Sequence, residues 1–121
     1  MRNVPLALTK RMLAGEKIWA SVATRFSDSI AWVQLVRYRT GANHLLEEEA
    51  AKLPWTGYII RHFEMPNKFR TGDWDVSNEE LLYLVEHRVK TAEEADAILD
   101  ELVGDPSKFI SDTDMTEYTP F

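Results

Sequence analysis

The side chains able to do acid–base or metal chemistry are few and widely spaced. The three histidines, His44, His62 and His87, lie 18 and 25 residues apart, and no His-Glu-x-x-His pattern occurs. The densest grouping is His62 with Glu64, two residues apart and so on one face of an extended strand, followed by Asp73 and Asp75 in a polar loop. Together they would offer an imidazole and three carboxylates, the donor set of a metal-dependent hydrolase or nuclease. The plainer reading is a polar strand face followed by a solvated turn, since loose His and acid groupings arise often by chance. None of the serines lies in a G-x-S-x-G or S-x-x-K setting, and Ser77 suits a helix cap better than a nucleophile. There is no Walker loop and no Gly-rich dinucleotide turn. With zero cysteines, disulfides, thiolate zinc sites, Cys nucleophiles and iron–sulfur clusters are all ruled out. No cofactor is called for.

Charge is the more distinctive signal. The 121 residues carry a net charge of −6, but unevenly. Residues 1–72 hold 11 Lys and Arg against 6 Asp and Glu, or +5, whereas residues 73–121 hold 3 against 14, or −11. The acids concentrate in Asp73 and Asp75, which flank Trp74, and in a run through Glu93, Glu94, Asp96, Asp100 and Glu101. On a helix beginning near Thr91, residues 93, 96, 97, 100 and 101 share one side, opposite Ala95, Ile98 and Leu102. The bland explanation is a solvated helix face, with some of the acids complementing helix N-termini. The functional one is a patch that steers a basic partner, with Trp55, Phe69 and Trp74 as aromatic anchors if exposed. In the first half Lys10, Arg11, Arg25, Arg37, Arg39, Arg61, Lys68 and Arg70 interleave with aromatics, as on a single-strand nucleic-acid platform. The net charge argues against that reading, since affinity for nucleic acid rests largely on phosphate neutralisation.

The elements that must position these residues follow from periodicity. Residues 5–14 open as a short helix with Pro5 in its first turn, stopped by Gly15. Residues 17–26 and 30–39 alternate with period two around a Ser27-Asp28-Ser29 turn, which predicts two strands. Trp19, Val22, Phe26, Ile30 and Val33 also fall at helical spacing, so one long helix over 17–39 is the alternative. A helix over 43–53 would bury Leu45, Leu46, Ala50 and Leu53 and end at Pro54. Residues 56–65 read as a third strand and 66–76 as a loop. Capping boxes at Ser77/Glu80 and Thr91/Glu94 predict helices over 77–89 and 92–103, meeting at a sharp bend near Lys90. Gly104 and Pro106 close the second helix. Residues 105–121 read as an extended tail docked through Phe109, Ile110 and Tyr118.

The expected fold is α+β: one globular domain over 1–104 with a small antiparallel sheet of about three strands from the first half, packed against three to four helices, then the tail over 105–121. An all-α fold is the runner-up. No apolar run is long enough to span a membrane, and residues 1–17 do not read as a signal peptide, so a cytoplasmic protein is expected. The leading functional expectation is a non-enzymatic protein-binding module of the inhibitor, immunity or anti-defence type. Asp73, Trp74, Asp75, Glu93, Asp96, Asp100 and Glu101 would meet a basic surface on a toxin, nuclease or nucleic-acid-binding protein. The alternatives are an assembly subunit of a phage particle or other homo-oligomer, reaching a neighbour through its tail, and the metal-dependent hydrolase above.

Overall fold

The computed structural model describes residues 1–69, 80–117, 119 and 121, without the side chain of Asn43. The described residues build a five-stranded antiparallel sheet with three α-helices. Helix α1 (Leu6–Leu13) precedes β1 (Ile18–Ser21) and β2 (Ser29–Tyr38). A 3-10 turn over Ala42–His44 and a single helical turn, α2 (Glu47–Ala50), lead to β3 (Gly57–Pro66). Strand β4 (Tyr83–Val89) runs into α3 (Ala92–Leu102), and β5 (Phe109–Ser111) follows. The strand order is β4-β3-β2-β1-β5.

The class is the expected α+β, but the sheet is larger than expected and the helical share smaller. The all-α alternative fails because residues 17–39 form a hairpin. Val33 pairs with Ala20 across it and with His62 on the other side, so β2 is central and its apolar residues are wanted on both faces. Asp28 makes the turn with a φ of 53°, a conformation Asp tolerates.

Two expected helices are corrected. The helix over 77–89 is not formed: residues 83–89 are β4, paired in register with β3 from Tyr58↔Val89 to Glu64↔Tyr83. Leu81, Leu82, Val85 and Val89 match a helical stripe, but Tyr83, Val85, His87 and Val89 also match a strand face, and seven cross-strand pairs decide between them. Its proposed cap Ser77 lies outside the described residues. The helix over 43–53 shrinks to α2. Leu45 and Leu46 are extended, with ψ of 155° and 154°, and both are exposed, so no core surface repays the nucleation of a longer helix. Residues 105–121 also contribute to the sheet, through β5 on the edge of β1. Phe109 is buried there, while Tyr118 lies outside the described residues.

The sheet carries a core on each face. On one, α1 and α3 cover Ile18, Ala20, Val33, Leu35 and Ile60, with Met12, Ala95 and Leu99 as the helical contribution. The cap of α3 forms as its residues predict: Glu94 N–H donates to Thr91 Oγ1 (3.2 Å), whose hydroxyl donates to Glu94 Oε1 (3.1 Å). At its other end Gly104, at a φ of 78°, folds its N–H back to the Leu99 carbonyl (3.1 Å). On the opposite face Trp19, Trp32 and Phe63 are buried, with Ile30, Leu81, Ile110, Met115 and Phe121 packed against them. Gly57 permits the β3–β4 pairing at its start, because a Cβ there would sit 2.2 Å from the Val89 carbonyl oxygen.

Candidate functional site

The residues singled out from sequence do not form one patch. Asp73, Trp74 and Asp75 lie outside the described residues. Glu93 is exposed on α3 about two turns before the adjacent, exposed Asp100 and Glu101, with Glu94 beside it. Asp96 is separate from them. It is buried, and its carboxylate accepts the backbone N–H groups of Arg2 (3.3 Å) and Asn3 (3.2 Å) while Asn3 Nδ2 donates to its carbonyl (2.7 Å). This carboxylate straps the start of the chain to α3. An open groove of about 330 Å³ lies beside it, between Met1 and Arg2 on one side and Ala92 and Glu93 on the other.

His62 and Glu64 do share one face of β3, pairing with Val33 and Ala31 of β2. Glu64 is fully buried, however, and its oxygens are taken. Oε1 accepts Arg25 N–H (2.8 Å), Oε2 accepts Phe26 N–H (2.9 Å), and the Ser29 hydroxyl also donates to Oε2. Burial alone would raise the pKa of this carboxyl. The hydroxyl and the two amide donors, with His62 beside them, outweigh that and hold it below the ordinary value. Glu64 therefore anchors the β1–β2 loop. Among the described residues no group of three or more His, Asp or Glu could hold a metal ion.

His62 is buried, packs edge-on against Tyr83 (5.0 Å between ring centroids), and its Nδ1 has no hydrogen-bond partner among the described residues. Desolvation lowers its pKa, as do Arg25, whose guanidinium stacks on Tyr83 at 4.0 Å, and His87; Glu64 opposes them without reversing the direction. The imidazole is neutral in the fold when an unfolded chain would already bind a proton. Stability is then expected to fall as the pH drops below about 6.5, where unfolded histidine protonates first. Urea denaturation of a His62→Leu variant checks this: its stability should change less between pH 7 and pH 5 than that of the unaltered chain. An unchanged slope would remove His62 as the cause.

The basic residues of the first half are mostly engaged inside the fold. Arg39 and Arg37 stack on Trp55 at 3.5 and 4.5 Å, and donate to the carbonyls of Leu53 (2.8 Å) and Leu13 (2.5 Å). Arg61 pairs with Glu86 (2.9 Å) and donates to Gln34 Oε1 (2.7 Å), and Arg88 reaches the other oxygen of Glu86 (2.8 Å). Of the expected aromatic anchors, Phe69 is buried and Trp55 is held between the two arginines. These contacts take Arg37, Arg39 and Arg61 out of an interleaved basic and aromatic platform for nucleic acid, while Arg70 lies outside the described residues.

One feature escaped the sequence reading. Asp112, Met115, Glu117 and Phe121 lie over the aromatic face of the sheet, packed on or tied to side chains beneath them. Trp19 Nε1 donates to Asp112 Oδ1 (2.9 Å) and Trp32 Nε1 to Glu117 Oε2 (3.1 Å). Gln34 Nε2 (3.5 Å) and Lys17 Nζ both donate to the Phe121 backbone oxygen. The Phe121 ring meets Phe63 edge-on at 5.1 Å and lies under the Arg61 guanidinium at 5.0 Å. The available signal was the alternation that puts Trp19, Trp32 and Gln34 on the strand face opposite Ile18, Val33 and Leu35. No helix in the first half was left to cover that face.

No model of a known protein family, no curated protein and no solved structure matches this chain. Among the described residues no helix is long and apolar enough to cross a membrane.

Proposed function

We propose that the chain is a non-enzymatic protein-binding module whose α3 face meets a basic surface on a partner protein. The supporting observation is how the acids divide. Those that are buried or bridged, Glu64, Asp96 and Glu86, serve the fold, whereas Glu93, Asp100 and Glu101 stand exposed on one side of α3 with no ion pair to a described residue. Like charges held on a rigid helix raise the local potential and speed encounter with an opposite charge more than they add affinity. A toxin, a nuclease or a nucleic-acid-binding protein offers such a surface, and an inhibitor or immunity-type role follows from covering it.

The test is capture from native lysate followed by association kinetics. The triple variant Glu93→Lys, Asp100→Lys, Glu101→Lys leaves Asp96 and the Thr91 cap in place. It should associate with the captured partner at least about tenfold more slowly at low salt and lose most of the salt dependence. A partner bound equally fast by the triple variant would sink the proposal. The assembly reading through residues 105–121 gains no separate support, because β5, Asp112 and Glu117 engage the chain's own sheet.

A further inference from the structure

The aromatic face of the sheet has the chemistry of a peptide groove, and this goes beyond the α3 reading. Its floor is Trp19, Trp32 and Phe63, exposed by only 2%, 8% and 0%. The polar groups it turns toward segment 112–121 are donors or cations: two indole N–H groups, the Gln34 amide nitrogen, the Lys17 ammonium and the Arg61 guanidinium. Two acceptors on this face of the sheet, Gln34 Oε1 and the Glu86 carboxylate, are both engaged by Arg61. Every hydrogen-bond acceptor the segment supplies to these groups is a carboxylate or a backbone oxygen, and its apolar contribution includes one ring, Phe121. The segment itself sits shallowly, since none of its described residues is buried although the floor beneath it is.

We propose that this face is a docking groove for an extended acidic segment carrying an aromatic residue, supplied by a partner protein, and that Asp112, Glu117 and Phe121 occupy it in cis until displaced. Charge complementarity selects the ligand: an acidic strand satisfies both indoles and the Lys17 ammonium, Arg61 being already paired with Glu86, and a basic or neutral one leaves buried donors unpaired. The aromatic residue fixes the register by entering between Phe63 and Arg61. The cis segment acts as a competitor, so the groove's apparent affinity is scaled by the fraction of chains in which it is open.

A fluorescein-labelled peptide with the sequence of residues 112–121 tests this by anisotropy against the full-length chain. Phe121→Ala weakens the cis segment and leaves the groove intact, so that variant should bind the peptide about tenfold more tightly than the unaltered chain does. Adding Lys17→Ala and Arg61→Ala to it should abolish the gain. If Phe121→Ala fails to fold by circular dichroism, Glu117→Gln, which weakens the Trp32 tie, takes its place with the same expectation. Equal affinity of the variant and unaltered chains, or equal binding of a scrambled peptide of the same composition, overturns the proposal. So does a dimer of the unaltered chain that Phe121→Ala abolishes, because the segment would then be exchanged between copies rather than displaced by a partner.

Discussion

Replacing Glu64 with glutamine is expected to destabilise the fold by about 2–4 kcal/mol, since each buried donor left unpaired costs about 1–3 kcal/mol. The carboxylate is fully buried and meets three donors, the amides of Arg25 (2.8 Å) and Phe26 (2.9 Å) and the Ser29 hydroxyl. An amide keeps one acceptor and turns an NH2 group toward a donor, so at least one partner is lost and a donor–donor clash replaces it. Chemical denaturation measures the loss, and hydrogen exchange at the Arg25 and Phe26 amides should accelerate with it. A variant within about 0.5 kcal/mol of the unaltered chain would show that the loop is held by other means. The same group sets an acid limit. With its pKa held below the ordinary carboxyl value, the folded state binds fewer protons than the unfolded one, so its stabilisation is present at neutral pH and is lost as the pH falls below about 4. That part of the acid sensitivity should vanish in Glu64→Gln.

Truncating Phe63 to alanine is expected to cost about 3–5 kcal/mol, the range for removing a buried aromatic ring and leaving its cavity. Phe63 is fully buried and is the hinge of the aromatic face: its ring is edge-on to Trp19 at 6.4 Å and 82°, and to Phe121 at 5.1 Å and 66°. Both contacts go with the ring, so segment 112–121 should loosen as well. Urea denaturation followed by tryptophan fluorescence gives the first effect, and proteolysis within residues 112–121 the second. A loss below about 1.5 kcal/mol would mean that the two Trp rings collapse into the space and that the face is more plastic than its packing suggests.

Where one residue type and one spacing carried the information, the sequence was readable. The 6–13 helix, the Ser27–Ser29 turn and the Thr91/Glu94 cap are local, and each formed where the short-range chemistry put it. The strand at 83–89 is not legible locally, because Leu81, Leu82, Val85 and Val89 fit a helix as well as a strand, and only the pairing with β3 distinguishes them. The helix at 43–53 was overestimated for the complementary reason. Leu45 and Leu46 have the spacing of a buried face, but the fold leaves both exposed.

The candidate site divides in the same way. Asp96 was grouped with Asp100 and Glu101 because they share a helix and a charge. Its neighbour across space, the backbone of Arg2 and Asn3, lies more than ninety positions away and leaves no mark on the local pattern. The charge split of +5 and −11 belongs to the sequence alone, and so does the absence of cysteine with the chemistry it forbids. Which of those acids remain outward is a tertiary matter. Folding turns Glu86 to Arg61 and Arg88, Asp96 to the first residues, and Asp112 and Glu117 to the indoles of Trp19 and Trp32. Composition sets how many charges a chain carries. Long-range pairing decides which of them are spent inside, because a buried N–H or guanidinium must find an acceptor wherever the chain can bring one.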